Sequence, residues 1–321
     1  MHSKLRRAYQ PFSIIAARPS VIYMNNLCII RLTGVTTLSL LLLPSCAASH
    51  RAAAGGKSHF APLGTNKVHY VTAGRGGHTL VFVHCWAGNL GFWREQVPAF
   101  ADKARLVLVD LPGHGQSDKP RADYSMEFFA DAVLAVMRDA AVHKATLIGH
   151  SMGAAVICAV YKKAPEKVAG LVSVDGALRR PQMSPQQAEQ FVAPFRTAEY
   201  HEHTRRFIGT MFPVPGTEAL RDQVIAEMLA TPQHVMLGSM EGMFGSGHPD
   251  WDVKTAAVPV LVINAKNPMW TADYEAYARA LSTRTDYRMM DGVGHWLMLE
   301  KPAEFNATLE SMLSRFDLIA R

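Results

Sequence analysis

The chain has 321 residues, 49% of them hydrophobic, which is enough for one large α/β domain or two small ones and unlike a disordered or fibrous protein. Its formal net charge is +6, and the first forty-five residues hold Lys4, Arg6, Arg7, Arg18 and Arg31 but no Asp or Glu. The body is therefore nearly neutral, and a nucleic-acid partner, which needs a basic face on a folded domain, is discounted.

Within this leader, Val35 to Pro44 reads VTTLSLLLLP, too short to span a bilayer but suited to the apolar region of a secretory signal. The residues Leu43-Pro44-Ser45-Cys46 resemble the lipobox of bacterial lipoproteins, in which the cysteine is lipidated and becomes the new N-terminus. The expected organisation is a leader over 1–46, an Ala/Gly-rich linker over 47–58 and a catalytic domain over 59–321. Translation from Met24 instead of Met1 would leave a leader of ordinary bacterial signal length. Export as a periplasmic or membrane-anchored lipoprotein is the expected location. An unlipidated signal, or a mitochondrial transit peptide, also fits an Arg-bearing, acid-free start, and a cytoplasmic or mitochondrial location is the alternative if these residues are not an export leader. Of four cysteines, Cys28 and Cys46 lie in the leader, so no disulfide framework or CxxC metal pattern exists; a Cys85–Cys158 bridge satisfies parity, but Cys158 reads as a buried free thiol on an apolar helix face.

From Val68 onward, short aliphatic runs alternate with helical patterns, the signature of a mostly parallel, doubly wound sheet in one domain. Strands are predicted at Leu80 to His84, Arg105 to Asp110, Ala145 to His150, Val168 to Asp175, Val258 to Asn264 and Asp286 to Met290. Helices are predicted at Phe92 to Ala101, Ser125 to Ala140, Met152 to Ala164, Ala272 to Leu281 and Ala303 to Arg315. The interval 177–251 breaks this rhythm, holding polar residues and methionines at helix-compatible spacing and no convincing strand. It reads as a helical cap inserted over the carboxyl ends of the strands, made deformable by Met183, Met211, Met228, Met236, Met240 and Met243.

Gly149-His150-Ser151-Met152-Gly153 is a GxSxG between the strand ATLIGH and a helix, the context of a nucleophile elbow. That turn would expose Ser151 Oγ at a helix N-terminus, where the dipole favours developing negative charge. With His84-Cys85-Trp86-Ala87-Gly88, the turn from Asp110 to Asp118 and Gly292-Val293-Gly294-His295, the chain resembles the α/β-hydrolase superfamily, in its esterase, haloperoxidase and carbon-carbon hydrolase branch. The similarity runs from about His69 to Phe316. It implies an α/β-hydrolase fold, with one oxyanion-hole amide from Trp86 in the turn after the first strong strand and the other from Met152. Cys85 stands where the family usually has glycine, so this turn should be tighter against the cavity. It also implies His295 as the general base, reaching Ser151 from a loop after the last strand. His114, His150, Asp110, Ser117 and Asp118 read as structural.

Most relatives carry the acid after the strand that here reads VPVLVIN, where this chain has Asn267 instead; asparagine can orient an imidazole but carries no charge to stabilise the imidazolium. Asp273 falls inside the next helix pattern. Asp175 ends the strand GLVSVD beside the nucleophile strand, and some lipases and haloalkane dehalogenases of this fold are similar in placing their acid there. A cap-starting role for Asp175 is the alternative. The expected triad is Ser151, Asp175 and His295, with Asn267 as the alternative acid position.

A serine at the elbow implies an acyl-enzyme, whereas epoxide opening or halide displacement would need a carboxylate there. No metal cluster, phosphate loop or dinucleotide fingerprint competes, so neither a metal nor a cofactor is expected. The expected partner is a small-molecule acyl substrate, a small to medium carboxylic ester, with perhydrolysis as a side activity. Hydrolysis of a carbon-carbon bond next to a carbonyl and slow-turnover ligand sensing are the alternatives.

Overall fold

The computed structural model describes residues 56–245 and 247–320, so the expected leader, Cys46 and most of the linker lie outside the described residues. Eight strands form one sheet: β1 (Lys57–Leu63), β2 (Asn66–Gly74), β3 (Thr79–Val83), β4 (Arg105–Val109), β5 (Ala145–His150), β6 (Val168–Val174), β7 (Val260–Ala265) and β8 (Thr285–Met290). Their order across the sheet is β1-β2-β4-β3-β5-β6-β7-β8. From β4 to β8 every neighbouring pair is parallel. The central strands β5 and β7 are buried along their whole length. Burial at every position, without alternation, belongs to strands covered on both faces.

The six predicted strands are present with ends shifted by at most two residues. The strands β1 and β2 were not foreseen, and β1 starts at Lys57, inside the expected linker. They pair antiparallel around Gly64, whose φ of +59° suits a two-residue hairpin turn. Most of β1 is solvent-exposed at the sheet edge, so it lacks the apolar run that marks a strand in sequence.

Among the helices, α1 (Met126–Asp139) starts at Ser125, whose side chain accepts from Phe128 N, and buries Phe129, Val133 and Val136. The helix α2 (Met152–Lys163) is buried from Met152 through Tyr161 because it lies against the central strands. The predicted helix at Phe92 to Ala101 is instead a 3-10 turn, Leu90–Trp93, and one short helical turn, Val97–Phe100. Asn89 caps the first piece, and Pro98, which has no N–H to donate, suits only the opening of the second.

Between β6 and β7 stand α3 (Pro185–Val192), α4 (Tyr200–Gly209), α5 (Glu218–Leu229) and α6 (Gln233–Phe244). The segment touches the loops that follow β3 and β8. Trp86 Nε1 donates to Met236 O at 2.8 Å, Thr231 Oγ1 to Ala87 O at 3.0 Å, and His295 N to Met211 O at 3.1 Å. These helices therefore lie over the carboxyl ends of the parallel strands. After β7 come α7 (Ala272–Ala280) and, after β8, α8 (Pro302–Arg315).

Candidate active site

Ser151 sits between β5 and α2 at φ +54°, ψ −116°, a backbone conformation that a non-glycine residue holds only when its surroundings impose it. Two glycines make this turn possible. A Cβ on Gly149 would overlap Gly153 O, and a Cβ on Gly153 would overlap Val83 O, so larger residues would drive α2 off β5 and β3. Ser151 N donates to Val174 O at 3.0 Å, tying the elbow to the neighbouring strand.

Asp175 follows β6 at φ +42°, with N donating to Ile263 O at 2.9 Å. His295 Nδ1 donates to Asp175 Oδ2 at 2.6 Å. Asp175 Oδ1 accepts from Ala265 N at 2.9 Å and from Trp270 Nε1 at 2.8 Å. The carboxylate is therefore buried but fully engaged, the condition under which a charge is tolerated away from water.

Glu300 accepts from Gly294 N at 2.7 Å and from Trp296 N at 3.2 Å, gripping the amides on either side of His295. Burial raises its carboxyl pKa above the usual range. His150 Nε2 donates to His295 O at 2.8 Å. Burial and the neighbouring His295 push the His150 pKa well below its ordinary value, so His150 is a neutral donor.

A cavity of 590 Å³ opens at these residues, and Ser151, Asp175, His295, Trp86, Met152 and Asn267 all line it. As the first residue of α2, Met152 has an N–H without an intrahelical acceptor. The turn that carries Trp86 is tight: Gly88 N donates to Cys85 O at 3.1 Å, and Ala87 adopts φ +53°. Burial raises the Cys85 thiol pKa, keeping it protonated. Cys85 and Cys158 are both free and buried, so the parity bridge does not form. The Trp86 ring packs edge-on against Phe195 and Phe207 of the inserted segment. Among the described residues no hydrogen bond joins Ser151 Oγ to His295, a contact that commonly tightens only with substrate bound.

Asn267 forms no hydrogen bond with His295 or Asp175 among the described residues. Its Oδ1 accepts from Met269 N at 2.9 Å and its Nδ2 donates to Ala265 O at 3.2 Å, which makes it the builder of the turn after β7. Four of the six methionines singled out from the insertion, Met211, Met228, Met240 and Met243, line the cavity; Met236 is buried elsewhere. The turn after β4 is held as expected of structural residues: Asp110 accepts from Leu90 N and Gln116 N, and Ser117 Oγ donates to Asp110 O. Sequence reasoning misses Trp270, because no local pattern shows that a side chain ninety-five residues from Asp175 will donate to it, and Glu300, whose acceptance from Gly294 N and Trp296 N has no sequence mark of its own.

A family model described as the alpha/beta hydrolase fold matches residues 78–200. The chain is 26% identical to the dihydrolipoyllysine-residue acetyltransferase component of the acetoin cleaving system of Cupriavidus necator, over 79% of this chain and 68% of that protein. It is 31% identical to the pimeloyl acyl-carrier protein methyl ester esterase of Methylococcus capsulatus, over 56% of this chain and 70% of the esterase. The solved enol-lactonase from Burkholderia xenovorans LB400 has a similar fold, with a TM-score of 0.72 at 20% identity, covering 80% of this chain and 100% of that one.

Proposed function

Given that the chain belongs to the α/β-hydrolase superfamily and is a hydrolase, we propose that it cleaves small to medium carboxylic esters through an acyl-enzyme on Ser151. The observation that carries this reading is the 2.6 Å contact of His295 Nδ1 with Asp175 Oδ2, beside a cavity that Ser151 also lines. With Nδ1–H committed to the carboxylate, Nε2 is the unprotonated ring nitrogen that can take a proton.

In the first half-reaction Ser151 Oγ attacks the ester carbonyl carbon while its proton passes to His295 Nε2. Asp175 stabilises the imidazolium so formed. The carbonyl oxygen, now an oxyanion, accepts from Trp86 N–H and Met152 N–H, each such donor worth about 3 kcal/mol of barrier. Collapse breaks the bond to the alcohol, which leaves with the proton from His295. In the second half-reaction water gives a proton to His295 and attacks the acyl-Ser151, releasing the acid and restoring the serine.

The cavity supports an acyl group of low polarity, because methionines and aromatic rings dominate its wall and Lys266 is the one Lys or Arg among the lining residues. Cys46 would carry the lipid that tethers this catalytic body to a membrane face, which is the reading of the lipobox-like LPSC. The deciding experiment is hydrolysis of a series of p-nitrophenyl esters of increasing acyl length by the body from Lys57 onward, with fluorophosphonate labelling mapped by peptide mass spectrometry. Ester turnover with the adduct on Ser151 is expected; no turnover and no adduct would refute the reading.

A further inference from the structure

The two carboxylate oxygens of Asp175 have separate tasks. Oδ2 faces the imidazole, and Oδ1 accepts two N–H groups, from Ala265 N at 2.9 Å and Trp270 Nε1 at 2.8 Å. Both donors belong to the segment that leaves the end of β7. Within that segment Asn267 folds the turn, and Trp270 N closes it on Asn267 O at 3.3 Å. The Trp270 ring packs on Tyr274 with centroids 4.8 Å apart. The Tyr274 hydroxyl in turn donates to Gly176 O and accepts from Leu178 N, each at 3.1 Å. The indole thus grips the acid, and the ring beneath it grips the chain just beyond the acid.

We propose that Trp270 is the positioning residue for Asp175, its indole N–H holding Oδ1 so that Oδ2 stays on His295 Nδ1 while charge moves onto the imidazole. The proposal rests on the serine-hydrolase reading above. Rotation about χ2 of an aspartate is broad, so the contact with His295 alone does not fix the plane of the carboxylate. Two N–H groups on the other oxygen fix that plane, since tilting the carboxylate away from His295 would strain both. An indole suits the task because it is a donor only and never competes for the His295 proton. Its ring also forms part of the cavity wall beside the ion pair, where excluding water strengthens the attraction between imidazolium and carboxylate. Of the two donors only Trp270 is a side chain, and so only it can be removed by substitution.

The test is Trp270→Phe, which deletes the N–H and keeps an aromatic wall, measured alone and combined with Asp175→Asn in the full chain. With p-nitrophenyl acetate, W270F should lower kcat by about tenfold to a hundredfold, the range for losing one hydrogen bond to a charged group, with KM within about twofold. In the Asp175→Asn background the same change should lower kcat by less than about twofold, because no charged acid remains to be held. The low-field proton resonance of the His295 Nδ1–H should broaden or move in W270F while thermal unfolding stays close to wild type. A W270F enzyme with wild-type kcat and resonance, an equal loss in the D175N background, or a change confined to KM overturns the positioning role. Wild-type protein that neither turns over ester nor takes a fluorophosphonate on Ser151 overturns both readings, so the two failures are distinguishable.

Discussion

Replacing Asp175 with asparagine tests the acid's charge while keeping the size and shape of its side chain. Two donors, Ala265 N–H and Trp270 Nε1–H, demand an acceptor where Oδ1 now stands. The amide oxygen of the substituted side chain must therefore take that place, which turns the amide NH2 toward His295 Nδ1. Two donors cannot share that 2.6 Å contact, so the imidazole is driven to the tautomer with Nδ1 bare and Nε2 protonated. That tautomer cannot accept the Ser151 proton, and no carboxylate remains to stabilise an imidazolium. A loss of up to about four orders of magnitude in kcat, or about 5.5 kcal/mol in the barrier, is expected, with little change in unfolding temperature because the Oδ1 contacts survive. Asn267→Ala removes only the turn contacts to Met269 N and Ala265 O, so its effect should be far smaller. Steady-state kinetics with a chromogenic acetate ester, beside thermal melts of both variants, decide the matter. Nearly full activity in D175N together with collapse in N267A would refute the assignment of the acid.

Ser151→Ala should leave a folded protein without ester turnover, and fluorophosphonate labelling followed by peptide mapping should show the Ser151 adduct disappear; residual turnover at the wild-type rate would place the nucleophile elsewhere. Burial depresses the pKa values of His84, His114 and His150, that of His114 to about 3. The unfolded chain therefore binds more protons than the folded one below the ordinary histidine pKa near 6.5. The stability these groups contribute is complete above about pH 6.5 and falls with pH at up to about 1.4 kcal/mol per unit for each of them, until the folded pKa is reached. Urea unfolding at pH 7.5 and 5.5 measures this, and equal midpoints would contradict it. In a bacterial host the mature N-terminus should begin at a lipidated Cys46, visible as a mass increase on the N-terminal peptide; an unmodified Cys46 inside an intact peptide would exclude the anchor.

What was legible in the sequence follows from where each signal resides. Strands such as β5 and β7 are covered on both faces, so their identity is written in short, largely aliphatic segments such as TLIG and VLVI. The edge strand β1 is written only in its pairing with β2, because most of its side chains meet solvent. The expected helix from Phe92 failed because its start is decided at a distance: Leu90 N donates to Asp110 Oδ1 at 2.8 Å, across twenty residues. At the site, Ser151 and His295 stood in local contexts and Asp175 at a strand end, and the fold brings all three to one cavity. Trp270 reaches Asp175 across ninety-five residues and Glu300 grips the amides of Gly294 and Trp296 just before it, contacts for which a tryptophan or a glutamate in sequence carries no mark.

A second Ser, His and Asp series shows why hydrogen bonds alone do not make a hydrolase site. Ser58 Oγ lies 2.8 Å from His69 Nε2, and His69 Nδ1 lies 2.7 Å from Asp110 Oδ2. By distance this series is more complete than the one at Ser151, since its serine already touches its histidine. Burial opposes the charge on Asp110, yet the hydrogen bond from His69, the neighbouring His69 and His84 rings and the Gln116 amide together outweigh it and hold the carboxyl below its usual range. Ser58 nevertheless sits within the exposed edge strand β1, not at a helix N-terminus, and none of the three residues lines the 590 Å³ cavity. An acyl group on Ser58 would lie outside that cavity, at the exposed edge of the sheet. The difference between the two series is therefore made by the elbow of β5 and α2, which sets Ser151 at the mouth of a helix, and by the inserted helices, which wall the space where a substrate can lie.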